Sequence, residues 1–279
     1  MVTPPPPQGS RQQRRLAARE KAKRLADLRR AAPLPDQAGL AGQAEVLADL
    51  LGGAGPRRAG DAADAAHRGY ERSVARHFKG GGGPGRELAC AAGCAHCCHA
   101  YISVSAPEAL LAARAVRALP RDRREAALAR VRATDESTRG RAPDDRKGAG
   151  ALPCPLLDPA DGRCTIYADR PLSCRAELSA DADACERLVA GAAAARPVPV
   201  LPFKLKIMYG GALALAARQV GLQAGVLEYN AALRVALDTP DAEARWLAGE
   251  DVFAAAAVHP EARAQIDRAL GGPPPRSGP

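Results

Sequence analysis

Apolar positions recur along this chain with helical spacing and are broken by glycine and proline. Leu40, Leu47 and Leu51 share one helical face ahead of Gly52-Gly53, after the break at Pro33 and Pro35. Tyr70, Val74 and Phe78 follow at four-residue steps, predicting a second helix over 61–79. Gly80–Gly85 then reads as a flexible lead-in; it lacks the Lys-Ser/Thr ending of a phosphate-binding loop. Ser105 and Glu108 have the spacing of a capping box, with Pro107 suited to a first turn, so a helix is expected to about Leu119. Pro120 ends it and Arg121–Arg132 starts the next, the two forming a hairpin over the middle of the chain. Residues 136–153 read as a loop. Residues 154–168 read as a small β-hairpin around Asp161-Gly162. Asp169 is expected to cap a short helix with Pro171 in its first turn, carrying Cys174 and Arg175. Residues 191–204 read as a Pro-punctuated linker, followed by helices near 205–220, 223–238 and 241–248. The stripe Val226, Tyr229, Leu233 and Leu237 is expected to face the core, together with Trp246 and Phe253.

These elements predict a mainly α fold with a small β-hairpin, its irregular cysteine-rich core flanked by helices. The organisation expected is a basic, disordered arm over 1–35, a helical lead-in over 36–89 and a cysteine-cluster domain over 90–190. A C-terminal helical region over 200–270 packs on that domain, and 271–279 is a disordered tail. Of the 279 residues 47% are hydrophobic but only 3% aromatic, so the core must rest on Leu, Val and Ala. A metal staple would help such a core to fold. No apolar run reads as long enough to cross a membrane, and residues 1–30 hold no apolar secretory segment, so a cytoplasmic protein is expected. No internal repeat of a defined supersecondary unit is visible.

Charge is concentrated at one end. The formal net charge is +9, and residues 11–30 alone carry nine Lys/Arg against Glu20 and Asp27. Such a stretch is either a solvated helix or a contact for nucleic acid or an acidic partner. No aromatics interleave to stack on bases, which weakens the nucleic-acid reading.

The chemistry sits in the middle. All eight cysteines lie between Cys90 and Cys185, with none in the first 89 residues or the last 94. Cys90, Cys94, Cys97 and Cys98 come first, and Cys94-x2-Cys97 has the spacing of a metal knuckle beside Gly93. Cys154, Cys164, Cys174 and Cys185 follow with nine, nine and ten residues between them, able to return to one centre from successive short elements. Thiolates select zinc, copper(I) or iron–sulfur chemistry over magnesium or calcium. Cys97 and Cys98 are adjacent and diverge, which suits a dinuclear centre, a cluster, or one ligand with a supporting thiol. Disulfides are disfavoured without export, and inert buried thiols do not cluster in fours. Cys98 or Cys185 would be the spare if fewer than eight ligate. His96 and His99 flank the knuckle as further candidates. His67, His77 and His259 are isolated and read as ordinary surface or helix positions.

Further pieces accompany the knuckle in order: Val104-Ser105-Ala-Pro-Glu108, Pro153-Cys154-Pro155-Leu156-Leu157, Gly162-Arg-Cys164-Thr-Ile166-Tyr167 and Arg170-Pro171-Leu-Ser-Cys174-Arg175. Over Cys90 to Cys185 the sequence resembles the YkgJ-type cysteine-cluster family, a zinc- or iron-chelating domain with a CxxCxxCC signature; here the first gap is three residues rather than two. Flagellin lysine methylases look like distant relatives. The resemblance implies metal binding without giving a reaction; the ligands expected are the eight cysteines, with zinc, iron or an iron–sulfur cluster bound. Two other functions stay open: an iron–sulfur enzyme akin to those methylases, and a zinc-stabilised nucleic-acid binder using the basic arm. Cys90-x3-Cys94-x2-Cys97 also has radical-SAM spacing, but no alternating strand–helix pattern of a barrel accompanies it. No catalytic dyad is evident; Glu108, Tyr167 and Arg175 are candidate polar helpers whose ordinary role would be structural.

Overall fold

Helices dominate because their apolar stripes, rich in alanine, can pack backbone against backbone. The computed structural model describes residues 37–79, 88–91, 93–146, 152–192 and 198–263. The basic arm over 1–35, the glycine run Gly80–Gly85 and the tail over 271–279 lie outside the described residues.

Helices α1 (Gln37–Gly52) and α2 (Arg58–Lys79) are followed by strand β1 (Ser103–Val104), then α3 (Ala106–Arg117) and α4 (Arg121–Thr138). Two short helices, α5 (Leu172–Arg175) and α6 (Ala182–Val189), lie within the cysteine-bearing stretch. The long α7 (Val200–Gln219), strand β2 (Leu227–Glu228), α8 (Tyr229–Asp238) and α9 (Ala242–Leu247) complete the order. The chain is therefore mainly α with a small β component, as its pattern predicts. The expected hairpin over 154–168 is present as a turn closed by one antiparallel bridge, Leu157 to Cys164. The ladder itself joins distant segments: Ser103 pairs with Glu228 and Val104 with Leu227, antiparallel.

Helix α7 packs on α1 and α2, α2 on α3, and α8 on α3 and α4. Ala44, Ala62, Ala66, Ala109, Ala212 and Ala216 are fully or almost fully buried at these contacts. Such small side chains let helix axes approach closely, and they make up for the few aromatics. Gly69 carries this furthest. A Cβ there would lie 2.6 Å from the Tyr209 ring, so glycine is what lets α2 meet α7. Tyr209 in turn stacks edge-on to Tyr70 at 6.5 Å and shares a 3.1 Å hydrogen bond with Ser73. Tyr229, Leu233, Trp246 and Phe253 are buried as expected.

Several details depart from the pattern. Helix α7 starts at Val200, inside the stretch that reads as a linker, because Pro202 falls in its first turn where no intrahelical N–H is needed. By length and composition α7 would also suffice to cross a membrane, which contradicts the sequence expectation; its packing on α1 and α2 and its buried Leu205, Tyr209 and Leu213 make it a core helix here. Helix α4 runs to Thr138, beyond the expected start of the loop.

His67 is not a surface residue. It is 1% exposed and its Nε2 lies 3.4 Å from Glu108 Oε1. Glu108 closes the capping box by accepting from the Ser105 N–H at 2.9 Å and hydroxyl at 2.8 Å. It also accepts from the backbone N–H of Leu172 at 2.8 Å. This replaces the expected Asp169 cap: the N-cap of α5 is Pro171, and the anion at its first N–H is Glu108. Burial would raise the Glu108 carboxyl, but His67 and these donors outweigh it and hold it below the usual range. Replacing Glu108 with alanine is expected to lower the unfolding free energy by about 3–5 kcal/mol, the cost of stripping one partner from a buried pair. Glu108→Gln, which keeps the size and one acceptor oxygen, should cost less. Urea denaturation of the two variants checks the order.

Candidate metal centre

The knuckle begins with a turn. Gly93 has φ +89°, a conformation that favours glycine, and the Cys94 N–H donates to Ala91 O at 3.0 Å. A single 3₁₀ turn, His96–His99, follows, tied by Cys98 N–H to Ala95 O at 2.9 Å and Ala100 N–H to Cys97 O at 3.1 Å. The next cysteine segment attaches directly to it: the Cys154 N–H donates to Cys98 O at 2.7 Å. Beyond Cys154 the chain turns back through Asp158 N–H to Arg163 O and Thr165 N–H to Leu156 O, both 2.8 Å, which brings in Cys164. The tip residue Gly162 (φ +67°) rests against the Gly93 carbonyl, where a Cβ would lie 3.5 Å away. Cys174 is carried by α5, which Glu108 holds from below and Arg175 from the side. Arg175 pairs with Glu71 of α2 and donates to the carbonyls of Arg170 and Ala168.

These elements wall one cavity of about 450 Å³. Cys94, Cys97, Cys98, Cys154, Cys164 and Cys174 all line it. All eight cysteines are free thiols. Cys90 and Cys185 are outside the lining but near it. Cys90 accepts a 3.3 Å hydrogen bond from the Ser179 N–H, and α6, which carries Cys185, packs on the His96–His99 turn.

The neighbours that hinder each thiol's ionisation fall into two overlapping sets. Cys154, Cys164 and Cys174 each sense Cys97, and Cys98 senses Cys97, Cys154 and Cys174. Cys90 instead senses Cys94, Cys97 and Cys185. Cys97 belongs to both groups. Burial pushes Cys154 up to about 12, Cys174 well above the ordinary thiol value, and Cys164 and Cys90 upward as well. Cys98 is raised first by donating its own hydrogen bond to Cys97 and then by burial. The metal-free pocket therefore favours neutral thiols. Neutral thiols exert no pull toward a common centre, and among the described residues no three Cys, His, Asp or Glu side chains stand in coordinating position. The donor set nevertheless fits a soft ion by its chemistry: six half-buried thiols line one cavity, and the one carboxylate in that lining, Glu228, is engaged by Arg146.

His99 lines the same cavity. Its Nδ1 is buried without a hydrogen-bond partner, and burial lowers its pKa, favouring the neutral ring that can ligate. Of the polar helpers, Glu108 and Arg175 prove structural, while Tyr167 stands at the cavity, 61% exposed.

Sequence reasoning missed the far wall. Tyr229, read only as part of a core stripe, lines the cavity, and its hydroxyl is buried without a partner. Burial raises its phenol well above the usual value, and the Cys154, Cys174 and Cys164 thiols add to this. Glu228 caps α8 through the Asn230 and Ala231 N–H groups and accepts from Arg146 Nη1 at 2.8 Å. Arg146 also donates to Thr138 O at 2.9 Å and lies 4.5 Å above the Tyr101 ring. Glu228 and Tyr229 sit 43 and 44 positions beyond Cys185, the nearest cysteine, and the β1–β2 pairing helps to bring them back.

No curated protein and no solved structure matches the chain significantly. Residues 89–189, which span all eight cysteines, match the CxxCxxCC family model, whose description reads "Putative zinc- or iron-chelating domain". Over those residues the chain is similar to the CxxCxxCC family.

Proposed function

We propose that this protein binds zinc or iron through its thiols in two linked groups that share Cys97. The observation that carries the reading is that Cys94, Cys97, Cys98, Cys154, Cys164 and Cys174 line one cavity, with Cys97 within electrostatic range both of Cys98, Cys154, Cys164 and Cys174 and of Cys90. A thiolate can bridge two ions, and adjacent Cys97 and Cys98 then need not chelate one ion together. His99 is the nitrogen donor available to the first group. The bound metal would supply a structural staple and, where a coordination position is open, Lewis acidity or redox chemistry. The chain's own residues hold the thiols in place: Glu108 and Arg175 fix the helix bearing Cys174, and Tyr229 offers a hydroxyl to the thiol wall.

Elemental and acid-labile sulfide analysis of anaerobically purified protein tests the reading. Stoichiometric zinc in colourless protein, or iron with sulfide in brown protein, is the expected outcome. Native material without a stoichiometric transition metal would reject it. Cys97→Ser should lose most of the metal, whereas Cys185→Ser should lose only the share held by the second group.

The thiol pKa values give a pH signature. A bound ion must displace protons that burial holds on Cys154, Cys164 and Cys174, so apparent affinity should rise with pH, by about tenfold per unit for each proton displaced. In the metal-free protein the sign is opposite for stability. Cys154 rises from 9.0 to about 12 on folding, so its protonated form stabilises the fold below pH 9, and that contribution is lost as pH climbs toward 12. Thermal unfolding midpoints of the metal-free protein should therefore fall across pH 9–12. Competition titrations with a chromogenic chelator at several pH values check the first trend, and calorimetry the second.

A further inference from the structure

We infer that the mouth of the thiol-lined cavity binds an organic oxyanion, a small molecule with a carboxylate or phosphate head and an apolar body. One ion or cluster requires only part of a space of about 450 Å³, which lies within the usual range for small-molecule sites. Four arginines line that space: Arg141, Arg146, Arg163 and Arg170. The one carboxylate among the lining residues is Glu228, and it is engaged by Arg146 and the start of α8. Among the described residues, Arg141, Arg163 and Arg170 have no carboxylate within ion-pair distance. Unpaired guanidinium groups around one hollow form a fork-shaped donor surface suited to an oxyanion.

Arg170 links the two ends. Its guanidinium lies 4.0 Å above the Tyr167 ring, its Nε is buried without a partner, and its charge reaches the Cys164 thiol. The apolar body has its own surface. Tyr167 and Leu152, at 61% and 45% exposure, are among the few large apolar side chains the fold leaves open, and both border this cavity. The buried, partnerless Tyr229 hydroxyl lies further in, beside the thiols. The head sits among Arg141, Arg163 and Arg170, the body lies over Tyr167 and Leu152, and the inner end approaches the metal. For that last contact the inference rests on the metal reading.

Calorimetric titration of the full chain with phenyl phosphate, benzoate and phenol tests it, run on metal-loaded and metal-free protein with metal content measured separately. Saturable binding of phenyl phosphate or benzoate, with phenol much weaker, is expected in both forms. The stronger of the two acids identifies the head group. Arg170→Gln should weaken binding about tenfold or more with metal content unchanged. Because Arg170 is partly buried, the exposed pair Arg141→Gln and Arg163→Gln serves as a second variant and should also weaken binding. Binding by neither acid, equal binding of phenol, or affinity unchanged in both variants would overturn the inference. Native protein without metal that still binds the acids would sink the metal reading and leave this one standing.

Discussion

A single buried carboxylate holds the frame and the cysteine wall together. Glu108 sits in the first turn of α3, faces His67 of α2 and caps the helix that carries Cys174. An anion can remain buried only if donors surround it, and here the donors come from three separate segments. The energy that satisfies the carboxylate is therefore the energy that fixes Cys174 relative to the helical layer. Arg175 complements it on the same short helix, joining Glu71 of α2 to the carbonyls of Ala168 and Arg170. A four-residue helix has little stability of its own. Fixed from two directions by side chains rooted in α2 and α3, it becomes a defined platform for Cys174.

The cysteine stretch shows the same economy of regular structure. Around the cysteines, over 93–100 and 154–171, the backbone is mostly turns, each closed by one or two hydrogen bonds, with Leu156, Ile166 and Leu172 as anchors in the core. Turns place thiols at close spacing more easily than helices or long strands do. Burial then keeps those thiols protonated, so the metal-free fold avoids packing several negative charges against one another.

Much of this was legible in the sequence where the signal is local. The capping box of Ser105 and Glu108, the helix breaks at Pro120 and Gly52-Gly53, and the Asp161-Gly162 turn each depend on residues a few positions apart. The knuckle turn at Gly93 was legible for the same reason. What escaped depends on distance along the chain. Nothing near Leu172 says that Glu108 will replace Asp169 as its cap. Nothing near His67 says that its ring will meet a carboxylate 41 positions later. The pairing of Ser103 with Glu228 has no turn to announce it, so Tyr229 read as one more core aromatic although it lines the same cavity as the thiols. The start of α7 was obscured because proline breaks a helix interior yet fits its first turn.

The β1–β2 pairing also bears on where the cooperative unit ends. The family match stops at residue 189, yet Glu228, Tyr229 and Asn230 form part of the cavity wall. Trimming the chain to the matched stretch would strip Arg146 of its counter-charge and open the sulfur-lined hollow to water along one side. The smallest autonomous piece able to enclose that hollow therefore includes the strand at Leu227–Glu228 and the helices that hold it, and a homology boundary is a poor guide to where this polypeptide can be cut.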